Sequence, residues 1–221
     1  MTEPIILTWS GGKDSALALF YLKNSPHFQV TSLLTTITKD YDRISMHGVP
    51  SGLLISQAQS LELPLEKVFI SKHSSNEEYQ AQMEKTLLSY QGQGISSVAF
   101  GDIFLEDLRK YREGNLSTIN MKGVFPLWEM DTSVLAQTFI ALGFKAIITC
   151  VDSNFLDKKF VGRLFDQQFL RDLPQNVDPC GENGEFHSFV FEGPIFKNPV
   201  RFNPGEVVFR DNRFYFCDLI P

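Results

Sequence analysis

The segment IILTWSGGKDSALALF, residues 5–20, constrains this chain more than any other. An apolar, β-branched run ends at Trp9, a polar turn SGGKDS follows, and an apolar helical stretch begins near Ser15. Strand, glycine turn and helix in that order make one βα unit, and Gly11 and Gly12 let the turn's backbone approach a ligand closely. Successive N–H groups then converge on the positive end of a helix, which favours an anion, with phosphate the expected guest. Two familiar phosphate loops are excluded. The GxxxxGK[ST] pattern needs glycine where Leu7 stands and a hydroxyl residue where Asp14 stands, and GxGxxG needs glycine at Lys13.

What remains is a different phosphate loop, with Ser10, Gly11, Gly12, Lys13, Asp14 and Ser15 as candidate nucleotide-binding residues. Lys13 supplies a point charge to a phosphate, and the Ser10 and Ser15 hydroxyls donate hydrogen bonds. A carboxylate beside a polyphosphate is repelled unless a cation intervenes or the carboxylate caps the helix start. Asp14 is therefore read as a magnesium ligand, with capping as the competing role. Lys13 and Asp14 are the candidate catalytic pair.

The first 150 residues alternate short β-branched runs with amphipathic stretches, which is the pattern of a parallel sheet flanked by helices. Strands are expected near residues 5–9, 30–36, 67–71, 97–100 and 146–151, and helices near 15–23, 52–61, 77–90, 105–113 and 133–142. Past Val151 the pattern shifts to Pro, Gly and Asn connections, a short helix near 163–173, and alternating Phe-rich runs (FHSFVF, EVVFR, RFYFCDL) that suggest antiparallel strands. The fold class expected is α/β: a doubly wound, mainly parallel nucleotide-binding sheet over residues 1–125, with a smaller substrate-facing α+β part over residues 126–221.

A formal net charge of −6 gives no general attraction for nucleic acid or an anionic membrane. No apolar run approaches the roughly 18 residues of a membrane span, and the first ten residues lack the basic start of an export signal. Three widely spaced cysteines without a CxxC pair suggest a reducing compartment, and Cys150, within AIITCV, reads as a small buried hydrophobe. The expectation is a cytoplasmic protein. A homodimer is carried as an expectation with no residue behind it.

Gly101 and Asp102 follow the fourth expected strand, and ligands of open α/β sheets bind beyond the carboxyl ends of strands. Asp102 is thus a candidate for the nucleotide crevice or a cap for the next helix. The loop KDYDRISMHGVP offers Arg43 and His47 for an anionic or carbonyl group, or is simply a polar surface loop. DPCGENGEFHSFV gathers Cys180, Glu182, Asn183, Glu185 and His187, but at spacings of no established zinc or iron site.

SGGKDS after a first strand resembles the PP-loop of the ATP pyrophosphatases. With GDIFLEDLR, FPLW, Gly143–Phe144, VGRLFD and DPCGENGEFHSFV in this order, the chain resembles the diphthine ammonia ligase family, in its bacterial-type branch. The resemblance implies an ATP-dependent, AMP-forming carbon–nitrogen ligase: a carboxylate attacks the α-phosphorus of ATP, pyrophosphate leaves, and ammonia displaces AMP. It also implies that Gly101 and Asp102 touch the nucleotide, and that Arg43, His47, Arg109, Glu182, Asn183, Glu185 and His187 face the acceptor or the incoming amine. Ser188 stands where many relatives carry Thr. Diphthine on elongation factor 2 is the implied acceptor for an archaeal or eukaryotic source. Two other readings stay open: a tRNA-modifying PP-loop enzyme, against which the acidic balance and lone cysteines count, and a module that binds ATP without turnover.

Overall fold

The computed structural model describes residues 2–44 and 47–221; Ser45 and Met46, inside KDYDRISMHGVP, lie outside the described residues, as does Met1. The strands are β1 (Glu3–Thr8), β2 (Phe28–Thr38), β3 (Arg43–Ile44), β4 (Leu65–Ile70), β5 (Ser97–Ala99), β6 (Lys122–Val124), β7 (Lys145–Asp152), β8 (Phe186–Glu192), β9 (Asn203–Arg210) and β10 (Phe214–Ile220). The helices are α1 (Lys13–Lys23), α2 (Ser51–Leu61), α3 (Asn76–Gln91), α4 (Glu106–Thr118), α5 (Thr132–Ala141) and α6 (Gln167–Asp172), with a 3-10 turn at Lys158–Phe160.

The first sheet is mainly parallel. β1 lies between β2 and β5, β4 continues it beyond β2, and β6 continues it beyond β5. The short β3 runs antiparallel to the last two residues of β2. Because successive strand side chains point to opposite faces, a strand apolar at every position must be covered on both. In β1, Ile5 and Leu7 enter one core cluster and Ile6 the other, all three fully buried. α1 and α2 cover the first face, while Leu87 of α3 and Leu116 of α4 cover the second.

The second sheet is antiparallel, in the order β8-β7-β10-β9. The run near 146–151, expected in the parallel sheet, is β7 of this second sheet, and the last parallel strand is instead β6, only three residues long. An apolar run announces a buried strand but not its sheet: β7 is buried from Ala146 to Asp152 because one core cluster joins both sheets. α1 lies within that shared core, and Lys13, Ser15–Leu19 and Leu22 are all buried. No helix among the described residues is long and apolar enough to cross a membrane.

Candidate active site at the PP-loop

A cleft of about 400 Å³ opens at the carboxyl ends of β1, β2 and β5. The chain leaves β1 toward β2 on one side, while β5 borders the other, so the strand order reverses at this point, where ligands of open α/β sheets sit. The volume is in the range of a small-molecule site.

The glycine turn forms one wall. Its α1 start has no side-chain cap, so the capping role weighed for Asp14 is not the one it fills. Gly11 has φ +74°, and a Cβ on Gly12 would stand 3.0 Å from the His47 ring and 3.1 Å from the Ser188 carbonyl. Gly101 has a similar reason: its Cβ would stand 3.0–3.2 Å from the backbone of Asp14 and Ser15. The hydroxyls shape the turn, since Gly12 N–H donates to Ser10 Oγ (3.2 Å) and Ser15 Oγ donates to the Gly12 carbonyl (2.9 Å).

Lys13 Nζ lies 2.7 and 2.8 Å from the two Asp14 carboxylate oxygens, with Lys13 4% and Asp14 30% exposed. The ammonium also lies 5.5 Å from the centre of the Phe186 ring and 5.9 Å from that of Phe165. Burial works against the Lys13 charge, but Asp14, Cys180 and Glu182 outweigh it, and the pKa rises above the usual lysine value. The two candidate catalytic groups thus hold each other.

The second sheet supplies the opposite wall. Ser188 Oγ accepts from Lys13 N–H (3.1 Å), and Val190 N–H donates to the Gly11 carbonyl (2.9 Å), so β8 is hydrogen-bonded directly to the turn. Glu182 Oε1 accepts from the Ile103 amide (2.7 Å), tying the GENGEF turn to the segment after β5. Burial, with Asp14 and Asp102 nearby, pushes the Glu182 carboxyl up to about 7, although the Ile103 amide and Lys13 pull the other way. His47 and His187 pack against each other at 4.5 Å between ring centres, their planes tilted by 35°. Burial lowers the His47 pKa to about 4 and holds His187 well below 6.5, so both rings are neutral at pH 7.

The cleft brings together Ser10, Gly12, Lys13, Asp14, Ser15, His47, Gly101, Asp102, Glu182 and His187. Gly11 lies in the turn with its carbonyl toward β8. Four other candidates lie elsewhere. Arg43 pairs with Asp218 (2.7 Å) at the edge of a neighbouring cleft. Arg109 pairs with Glu113 (2.9 Å) and stacks on Phe125 and Trp128. Asn183 is exposed and donates to Glu185 Oε1 (3.0 Å), while the buried Glu185 also accepts from the Asp178 amide, organising the turn from within.

Four residues outside the candidate set contribute. Arg112, one turn beyond Arg109, reaches the cleft and pairs with Asp102 at 2.6 Å; Asp102 does not cap α4. Ser188, singled out only for its hydroxyl, binds the turn itself. Thr35 of β2 lines the cleft with a buried hydroxyl that has no hydrogen-bond partner among the described residues, the kind of group a bound ligand satisfies. Gln57 of α2, fully buried, accepts from the Trp9 indole N–H (2.8 Å) and donates to the carbonyls of Gly11 (3.0 Å) and Val190 (2.6 Å). A glutamine in the stripe Leu53, Leu54, Gln57, Ala58, Leu61 was the legible signal, since a polar group in an apolar face is retained only with partners.

A parallel sheet whose SGGKDS turn forms the wall of a cleft at the strand-order reversal defines the class: a PP-loop-type nucleotide-binding fold. Residues 4–122 match the diphthamide synthase N-terminal domain and residues 131–218 its C-terminal domain, and the chain belongs to that family. It is 26% identical over 220 residues to a diphthine–ammonia ligase of Schizosaccharomyces pombe, covering 90% of this chain and 36% of that protein. It is also 26% identical to the diphthine–ammonia ligase of Bos taurus and 25% to that of Homo sapiens, over 90% of this chain and 82% of each. Superposition on a "predicted subunit of tRNA methyltransferase" from Methanocaldococcus jannaschii gives a TM-score of 0.42 at 18% identity, over 65% of this chain and 77% of that one, too loose a likeness to carry an inference.

Proposed function

We propose that this member of an ATP-dependent ligase family adenylylates a carboxylate of its acceptor, releasing pyrophosphate, and that ammonia then displaces AMP to leave an amide. The observation that carries the reading is the SGGKDS turn held against β8, with Lys13 and Asp14 side by side in the cleft. Little covalent chemistry falls to the protein in such a reaction, and in-line positioning and charge neutralisation do most of the work. Lys13 and the Ser10 and Ser15 hydroxyls face the phosphates in this scheme, the Gly12 and Lys13 amides being bonded to Ser10 and Ser188, and the Thr35 hydroxyl faces another part of the nucleotide. Ammonia loses a proton as it attacks the acyl group, and Glu182, with a pKa of about 7, is suited to receive it. The neutral His47–His187 pair borders the acceptor side. Residues 1–125 then carry the nucleotide site, residues 126–221 face the acceptor together with side chains of the first part such as His47, and the buried free cysteines fit a cytoplasmic setting.

Magnesium belongs to the same reading. Among the described residues no group of three His, Cys, Asp or Glu side chains is arranged to hold a metal, so the protein alone offers no cage. Magnesium at phosphates needs only one or two carboxylates, with water and phosphate oxygens completing its shell. Asp14, partly exposed at the phosphate turn, meets that need. Bound with the nucleotide, the ion supplies charge neutralisation on the departing pyrophosphate.

The relatives are named for diphthine, and the fission yeast protein is much longer than this chain. Diphthine is one of the acceptors to try where the source makes it. The deciding experiment is turnover of ATP labelled at the α-phosphate, with magnesium, ammonium and candidate carboxylates. Acceptor-dependent AMP and pyrophosphate, abolished in Asp14→Ala, is the expected result. ADP as product refutes the scheme, and tight ATP binding with no turnover against any acceptor favours an ATP-sensing module.

A further inference from the structure

A second cleft of about 400 Å³ adjoins the first, and the two share Ile44, Tyr79 and His187 in their walls. It lies between the ends of β2 and β4, the start of α3 and the β9–β10 turn. A molecule held there reaches the nucleotide cleft past His187, whose neutral ring places no charge at the junction.

The lining is unlike the rest of a chain whose formal charge is −6. Three cations, Arg43, Lys72 and Arg210, border it against one carboxylate, Asp211. Arg43 is committed, since its guanidinium bonds Asp218 (2.7 Å) and the Gly48 carbonyl (2.6 Å). Lys72 and Arg210 are not: among the described residues neither has a carboxylate within ion-pair distance. Lys72 lies 5.3 Å from the Tyr41 ring centre, and Arg210 5.8 Å from that of Phe216. Asp211 and Asp40 act on Lys72 only as a weaker field, behind its hydrogen bond to Tyr41. Phe214 and Phe216 give the cleft an apolar wall. Two cations without anionic partners, on aromatic platforms beside an apolar wall, favour an anionic group on a short stem.

We infer that the second cleft holds the far end of the acceptor, and that the acceptor is a small acid with two anionic groups. One carboxylate reaches the nucleotide past His187, and the second anion is held by Lys72 and Arg210. The inference rests on the ligase reading for the fate of the first carboxylate, but the anion site itself does not.

The test uses the full chain with a non-hydrolysable ATP analogue and three probes of similar length: glutarate, butyrate and 4-trimethylammoniobutyrate. Calorimetry is expected to show saturable glutarate binding, weakened by added salt. It is expected to be ~10-fold weaker in Lys72→Ala/Arg210→Ala, as for loss of charge-assisted hydrogen bonds, and largely kept in Arg210→Lys. Both residues are exposed, so the thermal midpoint of the double variant should stay close to that of the parent and excludes misfolding as the cause. The inference is overturned if glutarate does not bind, if the double variant binds it unchanged, or if either other probe binds as tightly. Release of AMP and pyrophosphate is measured separately. Intact glutarate binding without AMP from any acceptor refutes the ligase reading and leaves the anion site standing. AMP formed from acceptors without glutarate binding does the reverse.

Discussion

Replacing Gln57 with leucine tests whether the phosphate turn is held in shape by the second sheet. The side chain makes three buried hydrogen bonds, to the Trp9 indole, the Gly11 carbonyl and the Val190 carbonyl. Leucine fills similar space but orphans two of those partners. The Gly11 carbonyl keeps its bond from Val190 N–H, whereas the Trp9 N–H and the Val190 carbonyl lose the side-chain partner that each has among the described residues. Each buried orphan costs about 1–3 kcal/mol, and offsetting apolar burial leaves a net loss of about 3 kcal/mol. At about 2–4 °C per kcal/mol for a chain of this size, the thermal midpoint should fall by roughly 6–12 °C. The loosened turn should also raise the KM for ATP, because Gly11 and its neighbours lose their fixed position against β8. Scanning calorimetry and initial-rate ATP titrations read both effects. A shift under about 2 °C with an unchanged KM would refute the clamp.

Four further outcomes are expected. Gly12→Ala should abolish ATP binding in calorimetric titration while leaving the far-ultraviolet spectrum native, because the added methyl meets His47 and the Ser188 carbonyl at 3.0–3.1 Å. A thermal double-mutant cycle of Asp102→Asn and Arg112→Ala should show coupling of about 1 kcal/mol or more, since each single change leaves a half-buried charge unpaired. His47, lowered to about 4, takes up a proton in the unfolded chain first, so stability should be lost as pH falls from about 6.5 toward 4; His47→Gln should flatten that limb in urea titrations. Glu182, raised to about 7, has the opposite sign: the folded protein keeps a proton the unfolded chain has released, so its contribution declines as pH rises from about 4.5 to 7, and Glu182→Gln should remove that slope.

The parallel sheet was readable because its signals are local. The apolar run of β1, buried on both faces, followed by two glycines and an apolar helix, leaves little choice but a βα unit with its turn at a ligand cleft. The errors came where locality ends. β6 is three residues long, too short for any period to show. β7 has the composition of a buried parallel strand, yet it pairs antiparallel with β8 and β10, and only tertiary pairing decides between the two.

The site divides along the same line. The turn residues stand in the cleft because their chemistry and position lie in one contiguous motif. Arg109 and Arg112 show the limit: both are arginines on one face of α4, three residues apart, and nothing in the sequence says which reaches Asp102. The choice is made by stacking, since Arg109 lies on Phe125 and Trp128 while Arg112 lies on Phe100, at the carboxyl end of β5 and next to the cleft. Glu182 and Glu185 differ for a related reason. Both sit in GENGEF, but Glu185 turns inward to the Asp178 amide and Asn183, whereas Glu182 reaches across to the Ile103 amide. A carboxylate that bonds its own turn stabilises that turn, and one that bonds the opposite sheet closes a cleft. The distinction depends on which backbone amides lie within reach, and the one that Glu182 meets is supplied by the segment after β5, 79 residues away in the chain.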